Sequence, residues 1–226
     1  MRKPLIHILI AMPLLAVAAA VCALAYTPAP QAADIANALT AAHSAAALRY
    51  TLHIELQQPT GSVVLFDVSG EQAGEARHIS GNAAGSELDM YWIEGQLYQR
   101  DFISGDWVCS AMEEDKAIEL YHELSPQGLL PELAPAAFSY DGVQQLDGRK
   151  LRRVSYSAPA AGWLGGFFGE ADYTLYLERR AGELRRVDIS AALNEDDRYT
   201  ITVQLNLDIS GDAARITPPL PYIVGE

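Results

Sequence analysis

The chain has 226 residues, half of them hydrophobic, with 29 acidic side chains against 16 basic ones and a formal net charge of −13. That balance excludes nucleic acid as a partner, because binding phosphate needs the opposite sign, and it disfavours direct adhesion to anionic lipid. Two cysteines cannot build a disulfide framework, and the acidity itself serves solubility.

Met1-Arg2-Lys3 precede an uncharged apolar run from Leu5 to Ala25, the order of an export signal. The run is about as long as the roughly 20 residues that cross a bilayer, so it reads as a signal peptide or as an uncleaved membrane anchor. Ala23-Leu24-Ala25 offers a cleavage site that would leave Tyr26 first. Cys22 offers a lipidation site, with Val21 standing where lipoprotein signals want a small residue. Residues 26–33 form a spacer, 34–219 one domain and 220–226 a tail. All 29 acidic residues and all but two of the basic ones lie beyond the leader, which makes the exported part strongly acidic.

Asp34 is placed to cap a helix with an apolar stripe at Ile35, Leu39, Ala42 and Ala46. The period then switches to two. Tyr50, Leu52, Ile54 and Leu56 alternate with Thr51, His53, Glu55 and Gln57, which predicts a strand with one wet face. Gln58-Pro59-Thr60-Gly61 turns the chain into a second strand with Val64, Phe66 and Val68 on one side. Residues 75–81, 87–93, 96–101 and 107–109 read as further strands, with Leu88, Met90 and Trp92 sharing a face. Trp107-Val108-Cys109 places Cys109 in a buried strand, as a small hydrophobe. Ser110 and Glu113 have capping-box spacing and predict a helix with Ala117, Ile118, Tyr121 and Leu124 inward, ended by Pro126 and Gly128. After a Pro-rich stretch, Phe138 and Tyr140 open a β meander that continues through 151–157, 173–178 and 184–193. It closes on the unbroken alternation of Tyr199, Ile201, Val203, Leu205, Leu207 and Ile209. Short connections imply antiparallel neighbours. The segment 158–169 stands apart. It is glycine-rich and carries Trp163, Leu164, Phe167 and Phe168, so it either folds over the core or presents an apolar patch.

No catalytic apparatus is legible. The chain has no G-x-S-x-G elbow, no phosphate-binding glycine loop and no dinucleotide fingerprint. His43, His53, His78 and His122 are not spaced as metal ligands, and His122 suits the negative end of its helix. The acidic clusters 113–115 and 195–197 read as a helix start and a soluble hairpin tip. The order of a calcium loop is absent from the tip. No cofactor is called for, and the protein reads as non-enzymatic.

The order of features resembles a known superfamily. A leader and an alanine-rich helix run into the strand Arg49-Tyr50-Thr51-Leu52, followed by a strand pair around Gly70-Glu71. The run from Glu87 through Trp92, Glu94-Gly95, Tyr98, Arg100-Asp101 and Gly105-Asp106-Trp107 follows, and a β meander closes on Ile216-Thr217-Pro218-Pro219. This order is similar to bacterial envelope proteins of the lipoprotein-carrier (LolA/LppX-like) superfamily. The resemblance implies a mostly β (α+β) fold: a strongly curved antiparallel sheet of about ten strands, an incomplete barrel, with two helices over its open side. It also implies an extracytoplasmic protein, anchored or secreted, whose apolar hollow holds a lipid or a lipoprotein acyl chain. Alternation then places Leu52, Ile54, Phe66, Met90, Trp92, Ile201, Val203 and Leu205 on the hollow, with Trp163, Leu164, Phe167 and Phe168 as its lid or as a docking loop. Two short helices cannot fill such a hollow tightly. The alternative is a solid interior in a sensor or interaction module that binds an envelope protein.

Overall fold

A computed structural model describes residues 29–101, 103–111, 121–131, 135–194, 196–209 and 215–224. The leader with Cys22 and the cleavage site therefore lies outside the described residues. So do Glu113, Ala117 and Ile118 of the second helix, the cluster 113–115, and Glu195. Among the described residues no helix is long and apolar enough to cross a membrane.

The first element is α1 (Ala32–His43), which buries Ile35, Ala38, Leu39 and Ala42. It begins earlier than its sequence suggests. Asp34 sits in the first turn, and its carboxylate accepts the Gln31 backbone N–H at 2.9 Å. Ala46 falls beyond the helix and is exposed. The strands follow as β1 (Ala47–Gln58), β2 (Gly61–Ala73), β3 (Ala76–Ala83), β4 (Ser86–Ile93), β5 (Gln96–Arg100) and β6 (Trp107–Ala111). After the one-turn helix α2 (Pro126–Leu129) come β7 (Ser139–Leu146) and β8 (Arg149–Pro159). The one-turn helix α3 (Leu164–Phe167) then leads to β9 (Glu170–Glu178), β10 (Leu184–Leu193), β11 (Asp196–Asp208) and β12 (Tyr222–Val224).

All twelve strands form one sheet in the order β12-β6-β5-β4-β3-β2-β1-β11-β10-β9-β8-β7. The meander is broken twice, where β11 pairs with β1 and joins the two halves and where β12 returns to the edge of β6. β12 and β7 remain as edges, so the sheet curves into an open half-barrel and does not close. Neighbours are antiparallel except β12, which runs parallel to β6 with Tyr222 opposite Trp107. The residues expected to be a tail thus supply an edge strand.

One face of the sheet collects nearly all the apolar side chains. Leu52 lies opposite Val68 on one side and Leu205 on the other, and Val187 and Leu175 continue the same row. These residues share one buried cluster with Ile35 and Leu39 of α1, Leu129 of α2 and Leu164 of α3. A second cluster, Ile93, Tyr98 and Cys109, lies under β12 on the outer face.

Two local expectations fail for physical reasons. Ser110 is a strand residue paired with Leu97, so sheet pairing overrides its capping-box spacing. Val64 is 42 % exposed and points away from Phe66 and Val68. The register steps from Ile54↔Phe66 to Glu55↔Val64, which makes Leu65 an extra residue in β2. Such a bulge reverses the facing of everything beyond it and bends the strand.

Candidate ligand-binding face

The eight residues expected to line the hollow all lie on the concave face, in one apolar cluster, but in two different environments. Leu52, Ile54 and Leu205 are 0 % exposed, Ile201 1 % and Val203 2 %. A side chain that a water-sized sphere cannot touch has no water-sized void beside it. The half of the face built from β1 and β8–β11 is therefore dry and solid. Its filling comes from α1, from Leu124, Leu129 and Leu130, and from Leu164 and Phe168. Met90 is 9 % exposed, and Phe66 and Trp92, with Leu88 beside them, keep more of their surface accessible. The β2–β5 half is the less completely covered one.

The loop 160–169 is divided in the same way. Leu164 and Phe168 are buried core side chains, and Trp163 is half-buried with its indole N–H donating to Glu123 O at 3.1 Å. Phe167 points outward and is 59 % exposed. The loop is pinned at several points. The Ala161 N–H donates to the Tyr173 hydroxyl at 3.0 Å, the Gly169 N–H donates to Asn194 Oδ1 at 2.5 Å, and the Asn194 N–H donates to Phe167 O at 3.3 Å. Gly162 has a positive φ of 54° and packs on Gly128 O, where any side chain would collide. That contact ties the loop to α2.

A polar group that the sequence reading did not single out lies on the same concave rows. Gln72 and Arg77 are paired across β2 and β3, between Leu48 of β1 and Trp92 of β4. The Arg77 guanidinium lies 4.9 Å from the centroid of the Tyr121 ring and donates to Gly74 O at 3.0 Å. Gln127 Nε2 donates to Gln72 Oε1 at 3.4 Å, and Gln72 Nε2 donates to Ala45 O at 3.2 Å. Next to them the Tyr50 ring covers Gly70, where a Cβ would meet it, and its hydroxyl donates to Leu124 O at 2.9 Å. Burial pushes the Tyr50 hydroxyl well above its ordinary value, and the nearby Tyr121 adds to the effect. Burial raises Tyr121 too, against the opposing pull of Arg77. Among the described residues, Gln127 Oε1 is buried without a hydrogen-bond partner, and the equally buried Tyr121 Oη has the Tyr50 hydroxyl beside it. The only sequence signal for Arg77 is strand parity, two positions before the inward Ile79.

The outer face offers a different kind of space. A hollow of about 400 Å³ opens over β11, β1, β2 and β3 between Arg49, Glu71, His78 and Asp208, floored by the small Ser69 and Ser80. Its charges are already matched. Arg49 lies 3.5 Å from Glu71, and His78 sits 2.9 Å from Asp89 and 3.6 Å from Glu71, stacked on Tyr91 at 3.9 Å. Among the described residues no three His, Cys, Asp or Glu side chains converge to hold a metal. The outer hollow is thus rimmed by charges that are already paired, while most of the surface it exposes between them is apolar.

No protein-family model matches the sequence, and no curated protein matches it. Solved structures do share its shape. Lipoprotein LppX of Mycobacterium tuberculosis superposes with a TM-score of 0.55 at 12 % identity, over 82 % of this chain and 97 % of that one. LprF of Mycobacterium bovis gives 0.51 at 18 % identity, over 87 % and 100 %. The fold is LolA/LppX-like, as the sequence resemblance implied.

Proposed function

We propose that this is an exported, non-enzymatic protein of the cell envelope that binds a hydrophobic ligand, a lipid or a lipoprotein acyl chain, on its concave face. The observation that carries the reading is the asymmetry of that face. Five of its eight expected lining residues are sealed at 0–2 % exposure, while Phe66, Leu88 and Trp92 keep accessible apolar surface beside them. Large side chains left partly uncovered over a curved sheet are suited to an acyl chain, whose burial contributes about 0.8 kcal/mol per methylene. The site is thus the β2–β5 half, narrower than the whole face. The leader and the likeness in fold to LppX support an extracytoplasmic location, tethered or secreted.

Residues 26–226, produced in a bacterial envelope, are to be examined by native mass spectrometry followed by organic extraction. The expected result is a stoichiometric added mass that extracts as a lipid. A clean apo mass, together with no uptake of a fluorescent fatty acid, refutes the reading.

A second reading is favoured by a separate observation. Phe167 stands 59 % exposed on a loop that hydrogen bonds hold in place, next to the β10–β11 tip. A rigid, exposed aromatic is the kind of anchor that a protein interface uses. On this reading the chain is an envelope interaction or sensor module with a filled interior. Replacing Phe167 by Ser then abolishes capture of the partner and leaves bound lipid unaffected.

A further inference from the structure

We propose that Arg77 and Tyr121 form the head-group end of the ligand site, and that the ligand is an amphiphile with an anionic head, either a fatty-acid carboxylate or a lipid phosphate. The inference rests on the hydrophobic-ligand reading and adds to it which end of the ligand is charged and where that end lies.

Arg77 is unusual among the arginines of this acidic chain. Eight others have a carboxylate within 4.0 Å, from Arg49 with Glu71 to Arg198 with Asp196. Arg77 has none among the described residues. Its hydrogen bond to Gly74 O satisfies one N–H, and it faces the concave side in the row of Trp92. A partly buried cation with a carbonyl and a ring face but no counter-charge recovers only part of the hydration it gives up. The guanidinium lies over the Tyr121 ring with only one N–H spent on Gly74 O, which leaves others for a carboxylate or phosphate, the partners a guanidinium can grip through two parallel bonds. Tyr121, its hydroxyl buried beside that of Tyr50, backs the guanidinium from below and leaves its free edge to the ligand. The partly uncovered Trp92 and Leu88 continue from this polar end along β4, so a chain attached to the head runs onto apolar surface.

The test uses three single-chain probes, oleate, 1-oleoyl-lysophosphatidylglycerol and the uncharged mono-oleoylglycerol. Each displaces a polarity-sensitive fluorophore from residues 26–226. At least one anionic probe is expected to bind about tenfold or more tightly than mono-oleoylglycerol, the range that one charged hydrogen-bond pair supplies. Which anion is the tighter separates the fatty-acid source from the phospholipid source. Arg77→Met is expected to bring the ratio close to one, and Arg77→Lys to keep most of it. Arg49→Met on the outer face leaves the ratio as it is. Equal binding of all three probes, or a ratio that survives Arg77→Met, overturns the head-group assignment alone. No binding of any probe overturns the hydrophobic-ligand reading, and this inference with it.

Discussion

Leu205→Ala separates the solid half of the concave face from the accessible half. Leu205 lies between Leu52 and Val187, all three are 0 % exposed, and the same row continues into the equally sealed Leu175 and Val154. The substitution removes three carbons from a site whose neighbours are held by sheet pairing on both sides, so little collapse can offset the void. Leu→Ala losses in dry cores are about 2–5 kcal/mol, and this setting belongs in the upper part of that range. For a domain whose whole stability is about 5–15 kcal/mol, the urea midpoint falls by a large fraction at unchanged slope. The thermal midpoint falls by about 2–4 °C per kcal/mol at this chain length. The informative comparison is with Trp92→Ala, where a partly uncovered side chain is lost. Added lipid stabilises by RT ln(1 + [L]/Kd), so it should raise the midpoint of Leu205→Ala as much as that of the wild type and leave Trp92→Ala almost unmoved. If Leu205→Ala costs under about 1 kcal/mol, or loses the ligand response while Trp92→Ala keeps it, the sealed half has been misassigned and the hollow lies there instead.

Gly70→Ala should destabilise strongly, because the new Cβ meets the Tyr50 ring, whose hydroxyl is anchored to Leu124 O. The loss should shrink in the Gly70→Ala/Tyr50→Leu double variant, measured as non-additive urea midpoints. Phe168→Ser and Phe167→Ser are expected to differ despite being neighbours. The first empties a core position at a cost of about 3–5 kcal/mol, while the second changes stability by under about 0.5 kcal/mol. Burial holds the hydroxyls of Tyr50, Tyr156 and Tyr173 above the ordinary phenol value. In the unfolded chain these groups lose protons from about pH 10 upward, while in the folded chain they stay neutral. Their contribution to stability is thus fully present below pH 10 and is lost as pH rises from there through the folded values. Urea midpoints insensitive to pH between about 10 and 12 would contradict the burial of these three hydroxyls.

The architecture was legible because its determinants are local. The alternation from Tyr199 to Leu207 lies on a strand that buries Ile201, Val203, Leu205 and Leu207, and turns such as Gln58-Pro59-Thr60-Gly61 fall between paired strands. What escaped depends on partners distant in sequence. Tyr222-Ile223-Val224 is too short to announce a strand and exists as one because β6 lends it a parallel edge. Ser110 carries a good helix-start signal, yet the edge of β5 offers it a ladder position. Val64 keeps its place in the alternation on paper, and one extra residue at Leu65 turns it outward.

The same distinction governs the site. Alternation assigns a side chain to a face, and the eight residues expected to line the hollow do share one. Whether a face is covered is decided by what crosses it, and here the crossing segments come from far along the chain. The backbone at Leu124 meets Tyr50 across 74 positions, and the loop at Trp163 meets Glu123 across 40. Periodicity carries no information about such contacts, so Leu52 and Phe66 look equivalent in sequence and differ in the fold. Arg77 is hidden for a related reason. A lone basic residue in an exposed-looking hairpin reads as solvated charge, and only the Tyr121 ring beneath it and the lack of a carboxylate partner among the described residues turn it into a candidate binding group. The functional signal is therefore a mismatch between a side chain and its surroundings. It becomes visible only once the tertiary contacts have shown which polar groups are left without partners.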